Sequence, residues 1–149
     1  MSGSRALHKG FVSPPATPEA YRQYISSLRR KNRTGFLVTL SDTDDIAGVI
    51  NVNEIVLGLF QSATLGYYAF APHAGQGFMG QGLRLVIRHC FGDLRLHRLE
   101  ANIQPDNERS IALVKPLGFT KEGFSPRYLK ICGRWRDHER WAILAENWR

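Results

Sequence analysis

The sequence predicts an α/β protein, a mixed sheet with helices on its faces, and three observations lead there. Strand-like and helix-like apolar periodicities follow one another along the 149 residues in the order helix, three strands, helix, strand, helix, two strands. Two of the helices carry cap residues at their starts, Thr17-Pro18-Glu19 and Asp106-Asn107. Four glycines fall within eight residues, Gly75-Gln76-Gly77-Phe78-Met79-Gly80-Gln81-Gly82, at a strand-to-helix junction. The length suits one domain spanning 1–149, with room for a real core.

The elements follow in order. Residues 1–16 carry Pro14 and Pro15 and little periodicity, so an extended lead-in is expected. Thr17 then reads as an N-cap, Pro18 as the first helical residue and Glu19 as an acid beside the positive dipole end. Tyr21, Tyr24, Ile25 and Leu28 fall at helical spacing and predict one buried stripe. Phe36 to Leu40 and Ile46 to Val52 are strands of a hairpin around the polar turn Ser41 to Asp45. The three aspartates of that turn lack the glycine and terminal glutamate of a calcium loop, so no metal site is expected. Asn53 to Phe60 reads as a longer connection, and Thr64 to Phe70 as the third strand.

After the glycine turn, Leu83, Val86, Ile87, Cys90 and Phe91 form the buried stripe of a second helix. Arg98 to Ile103 is the fourth strand. Asn107 caps a third helix whose Ile111, Val114 and Leu117 face inward, and Gly118 sits where a left-handed residue ends it. Pro116 in the last turn removes a hydrogen bond. Phe119 to Ile131 and Trp135 to Leu144 pair around Cys132-Gly133.

Composition narrows the function classes. Net charge is +7, which favours polyanionic partners such as a phosphorylated cofactor, RNA or an acidic protein surface. The small basic run Arg29-Arg30-Lys31 suits a helix C-terminus better than a nucleic-acid reader. No apolar run reaches transmembrane length, and Met1 to Arg5 lacks the apolar core of a signal peptide. A cytoplasmic protein with no membrane partner is expected, with Cys90 and Cys132 as free thiols.

The glycine turn has two readings at this level. Glycines let backbone amides approach a ligand closely, and a helix start presents free N–H groups, so strand, turn and helix can cradle a phosphate. The same pattern also makes a plain tight connection.

The remaining motifs decide between them by resemblance. Ala74-Gly75-Gln76-Gly77-Phe78-Met79, then Asp106-Asn107-Glu108-Arg109-Ser110 with Leu117-Gly118-Phe119 and Glu122-Gly123, resemble the two signatures of the GNAT N-acetyltransferases. Arg98 to Ala101, Tyr128 to Ile131 and Gly133 to His138 are similar to the ribosomal-protein-alanine N-acetyltransferases of the RimJ/RimL type, the RimJ branch most closely. The likeness runs from about Leu7 through nearly the whole chain. It implies a largely antiparallel sheet and transfer of acetyl from acetyl-CoA to a primary amine.

On that resemblance the pyrophosphate of acetyl-CoA lies on the amides of Gly75, Gln76, Gly77, Phe78, Met79 and Gly80. The pantetheine arm runs beside Tyr68, Ala69, Phe70 and Ala71, where the third and fourth strands splay. Ser110 serves the leaving thiolate or is a second capping hydroxyl, and Asn107 binds the pantetheine, caps its helix, or does both. Glu54 and Glu100 are the candidate bases, Glu100 equally readable as an inert strand carboxylate. Glu54, Tyr128, Trp135 and Asp137 are candidates for the acceptor side, the last three equally readable as a packed hairpin. The implied acceptor is a protein N-terminus, a ribosomal protein among the candidates, with ribosome association and a monomer or homodimer. Alternatives are a small amine (an antibiotic or polyamine) or a weakly active module that docks on ribosome or RNA.

The chain departs from the family pattern at its front. The family begins with a strand and a first helix before the segment matching Leu7-His8, and this chain has no residues for them. That strand would flank Phe36 to Leu40, so the edge is expected to be covered by residues 1–16 or by another chain.

Overall fold

The computed structural model describes residues 4–8 and 10–149. Its helices are α1 (Arg5–His8), α2 (Pro18–Ser27), α3 (Phe78–Gly92) and α4 (Glu108–Val114). Its strands are β1 (Thr34–Thr39), β2 (Ile46–Val56), β3 (Ser62–Ala69), β4 (Arg98–Ile103), β5 (Thr120–Ile131) and β6 (Arg134–Leu144). They form one sheet in the order β1-β2-β3-β4-β6-β5. Every neighbouring pair is antiparallel except β3 and β4, which run parallel through the crossover helix α3. The mixed, largely antiparallel sheet is therefore as expected.

Helix α3 forms the core with the middle of the sheet. Leu83, Ile87 and Cys90 on its inner stripe are fully buried, as are Ile50 and Val52 of β2 and Leu99 of β4. The helix approaches closely at Gly82, where an added Cβ would stand 2.7 Å from Val38 Cγ2. Burial on the Cys90 stripe pushes that thiol up to about 12, consistent with a small core residue rather than a nucleophile.

Capping matches the sequence pattern in both places. Thr17 Oγ1 accepts from Ala20 N at 3.1 Å, and Asn107 Oδ1 accepts from Ser110 N at 3.3 Å. Pro116 is accommodated because α4 ends at Val114 and a 3-10 turn, Lys115–Leu117, takes the proline near its start. Gly118 closes that turn at φ +100°, the left-handed conformation expected of it.

Three expectations are corrected. The lead-in is not extended throughout: residues 5–8 form a helical turn, and the Ser4 and His8 side chains are buried. Their hydroxyl and imidazole bond the backbone at the end of β3, which local periodicity cannot reveal. The stripe of α2 is only half used. Tyr24 and Leu28 pack over Gly35, and Tyr24 Oη donates to Asn51 Oδ1 at 2.6 Å. Tyr21 and Ile25 lie on the flank of that contact and stay 51% and 39% exposed. Finally, the described residues of the lead-in do not cover the β1 edge. They dock at Ala69 and Gln104, beyond β2, and among the described residues β1 pairs with β2 alone.

Candidate active site

The site is a wedge in the sheet. Pairing of β3 with β4 runs from Ser62↔Arg98 to Thr64↔Glu100 and stops there. Strand β3 continues to Ala69 and β4 to Ile103, so the two diverge for the rest of their length. Backbone groups past the divergence need other partners. Phe70 N–H donates to Ala47 O at 2.8 Å, on the β2 side. Ala69 and Ala71 turn toward the N-terminal segment instead: Ala69 O accepts from His8 Nε2 at 2.6 Å, and Ala71 N–H donates to Ser4 Oγ at 2.9 Å.

The wedge opens into a cavity of ≈ 670 Å³. Tyr67, Tyr68 and Ala69 line it from β3, and Asn107 and Ser110 from α4. Gly75, Gly77, Phe78, Met79 and Gly80 close one end, and Leu7, His8, Phe11 and Val12 another flank. Of the residues assigned to the cofactor from the sequence, Phe70, Ala71 and Gln76 lie outside the lining. The Gln76 side chain turns back to Pro72 O at 3.3 Å.

The glycine turn has the geometry of an anion cradle. Gly75 and Gly77 adopt φ +77° and +86°, which favour glycine, and a Cβ at either would meet nothing within 4 Å. Gly77 is the N-cap of α3, and the first bond into the helix is Gln81 N–H to Gly77 O at 3.2 Å. The amides of Phe78, Met79 and Gly80 are thus the unpaired donors of the first turn, at the positive end of a 15-residue helix. Open space, free N–H groups and a helix dipole suit a pyrophosphate.

On the other wall, the Ser110 hydroxyl lies 2.6 Å from the Tyr67 phenol. Burial pushes that phenol up to about 12, against the lowering effect of the serine contact. Tyr67 is therefore a neutral O–H at any working pH. No local pattern distinguishes Tyr67 from Tyr68, because adjacent strand residues differ only in the face they take. Ser4, His8 and the cavity-lining His73, whose Nε2 stands 3.8 Å from Asp45 Oδ2, carried no motif.

The candidates for base and acceptor contacts lie elsewhere. Glu54 is exposed on β2 at φ +50°, within the irregularity between Asn53 and Val56. Glu100 accepts from Arg98 Nε at 2.8 Å, and Arg98 also grips both oxygens of Glu122 at 2.9 and 2.6 Å. Tyr128 and Trp135 are exposed on the β5–β6 hairpin. Asp137 accepts from Arg127 N at 2.8 Å and holds the left-handed Arg127 of a bulge. None of these five side chains lines the cavity, and among the described residues no Asp or Glu does.

Residues 2–120 match the family model described as the acetyltransferase (GNAT) domain. The chain belongs to the GNAT acetyltransferases. Relatives of this GNAT chain include the [ribosomal protein uS5]-alanine N-acetyltransferase of Escherichia coli (strain K12), 38% identical over 135 residues, which are 88% of this chain and 70% of that protein. Among solved structures, Mycobacterium smegmatis RimJ in complex with CoA-disulfide superposes with a TM-score of 0.86 at 27% identity, covering 96% of this chain and 73% of that one. A ribosomal-protein-S5-alanine acetyltransferase from Vibrio fischeri gives 0.84 at 26% identity, covering 99% and 85%. The GNAT enzyme described here is accordingly an acetyl-CoA-dependent N-acetyltransferase, similar to the RimJ branch. No helix of the described residues is long and apolar enough to cross a membrane.

Proposed function

We propose that this acetyltransferase modifies the α-amino group of a protein N-terminus, with a ribosomal protein as the acceptor. The observation that carries the reading is the cavity wall without a carboxylate. An amine must be neutral to attack. An α-amino group has a pKa of about 7.7–8.0 and a lysine amine about 10.4, so near neutral pH a substantial share of the first and about a thousandth of the second is neutral. A site with no carboxylate of its own suits the α-amine. It equally disfavours polycationic small amines, which a chain of net charge +7 would repel. The similarity to uS5-alanine N-acetyltransferase points the same way. A cytoplasmic enzyme, monomer or homodimer, that meets its acceptor at the ribosome fits this reading.

Acetyl-CoA supplies an activated acyl group as a thioester. The residues of this chain hold and orient it. The amides of Gly75 to Gly80 receive the pyrophosphate, and the diverging strands admit the pantetheine beside Tyr68 and Ala69. Holding donor and amine together makes the encounter local. A bond forms from nitrogen to the acetyl carbon as the carbon–sulfur bond breaks. The nitrogen releases a proton to solvent, and the sulfur takes one up. Ser110 offers its hydroxyl as a hydrogen bond to the departing sulfur, where negative charge develops.

The test is a mass-shift assay with acetyl-CoA and three acceptors: an alanine-starting peptide, the same peptide N-terminally blocked with a free lysine, and spermidine. Acetylation of the first, far faster than of the others, is expected. Faster turnover of spermidine or of the lysine peptide would overturn the acceptor assignment.

A further inference from the structure

We infer that Tyr67 is a positioning residue for acetyl transfer, acting through Ser110 by fixing the direction of its hydroxyl proton. The inference rests on the role given to Ser110 above and adds a residue that no sequence signature marks.

The acidities of the two groups favour one arrangement. The two oxygens are 2.6 Å apart, so one of them donates. A phenol is a far stronger acid than an aliphatic hydroxyl, and here burial keeps it protonated. The stronger donation therefore runs from Tyr67 O–H to Ser110 Oγ. That bond occupies one lone pair of Ser110 and leaves its own proton unused. Among the described residues, the Ser110 hydroxyl has no acceptor other than the Tyr67 oxygen. Both residues line the cavity, so a serine proton not engaged by the phenol is available to a cofactor sulfur held there.

The reverse arrangement, serine donating to tyrosine, would engage that proton with the phenol and leave only serine lone pairs for the developing thiolate. Tyr67 thus selects the productive rotamer of a hydroxyl that could otherwise turn freely. It also raises the donor strength of Ser110, since a hydroxyl that accepts a bond donates a better one. Two anchors fix the pair. Tyr67 is opposite Ile50 in the β2–β3 register, and Ser110 sits on the first turn of α4, where its N–H is held by Asn107. The contact joins β3 to α4 across the wedge, so it also sets the width of the cavity at that point.

The test compares wild type, Tyr67→Phe, Ser110→Ala and the double variant with acetyl-CoA and an alanine-starting peptide. If the wild type leaves that peptide untouched, spermidine takes its place, because the inference concerns the leaving group and not the amine. Tyr67→Phe is expected to lower kcat by about 3- to 10-fold, with the KM for acetyl-CoA little changed. The double variant should be no slower than Ser110→Ala, because the phenol acts only through that hydroxyl. A normal kcat in Tyr67→Phe beside a slow Ser110→Ala, or losses that multiply in the double variant, would overturn the inference and leave Ser110 in its role. A normal kcat in Ser110→Ala would overturn the Ser110 assignment and Tyr67 with it. A fluorinated tyrosine at position 67 provides an isosteric check that does not depend on folding with phenylalanine. Its more acidic phenol ionises at lower pH and can then no longer donate. Turnover should fall above that pH in the fluorinated enzyme alone, and a profile matching wild type would also overturn the inference.

Discussion

His8 Nε2 donates to the carbonyl oxygen of Ala69 across 2.6 Å, tying the N-terminal helical turn to the strand end that borders the cavity. The carbonyl can only accept, so the proton of this bond sits on Nε2. His8 is only 6% exposed, and its ring meets Tyr68 edge-on at 5.4 Å. Removing it would leave a buried carbonyl without its partner and a void beside Tyr68. His8→Ala should therefore destabilise the protein by about 1–3 kcal/mol. It should also raise the KM for acetyl-CoA more than it lowers kcat, since Ala69 lines the cavity. Thermal unfolding and steady-state kinetics check both halves. An unchanged midpoint would show that α1 does not dock as described.

The glycine turn yields a paired prediction. Gly77 lies at φ +86°, and both Asn and Asp tolerate that region better than other residues with a Cβ. Gly77→Asn and Gly77→Asp thus carry similar backbone costs and nearly equal bulk. They differ in one negative charge placed at the amides of the helix start. Gly77→Asp should raise the KM for acetyl-CoA by about tenfold or more over Gly77→Asn, with the gap narrowing at high salt. Equal values would mean that the pyrophosphate lies elsewhere.

These two residues also show how far the chain can be read without coordinates. The turn at Gly75 and Gly77 was legible because the need for positive φ selects one residue type, and a helix follows it directly. The β4 strand was legible to its ends, Arg98 and Ile103, because alternation there is clean. His8 and Ser4 were not legible. Their bonds reach 61 and 67 residues along the chain, and no local pattern encodes such a contact. Glu54 and Glu100 were attractive as carboxylates near the right strands. Whether a strand carboxylate faces a cavity or an arginine depends on the sheet face and on β5, which only the folded chain brings alongside. Tyr67 and Tyr68 stand together in sequence, yet only one reaches Ser110.

Glu100 and Glu122 give a prediction that separates structure from catalysis. The Arg98 guanidinium hydrogen-bonds Glu122 and holds its carboxyl below the usual carboxylate range. A depressed pKa in the folded state means the pair stabilises above the unfolded carboxylate value of 4.5 and loses that effect as pH falls through the folded value. Glu122→Gln should therefore be less stable than wild type at neutral pH, by a small amount given the exposure of the pair, and equal to it once both states are protonated. Urea unfolding between about pH 3 and 7 reads the convergence. A gap that persisted in acid would rule out the ion pair as its source. Glu100→Gln, in the same network, should leave the pH dependence of kcat unchanged, whereas loss of a general base would remove the acidic limb of the profile.

Two further glycines make opposite predictions from the same substitution. A Cβ on Gly48 would collide with Met79 Sδ and would stand 2.6 Å from the backbone oxygen of Tyr68. The methionine side chain can move, but the oxygen belongs to the β2–β3 ladder, where Gly48 is opposite Ala69. Relief would require the two strands to separate beside the cavity. Gly48→Ala should cost about 3 kcal/mol or more, and should weaken acetyl-CoA binding because Met79 and Ala69 both line the site. Gly92 ends α3 with nothing within 4 Å of an added Cβ and no positive φ. Gly92→Ala should instead stabilise by about 0.4–1 kcal/mol, through a more restricted unfolded chain, and leave KM unchanged. Denaturant midpoints for the two variants check the signs. Two losses of similar size would mean that backbone entropy and close packing have been assigned to the wrong glycines.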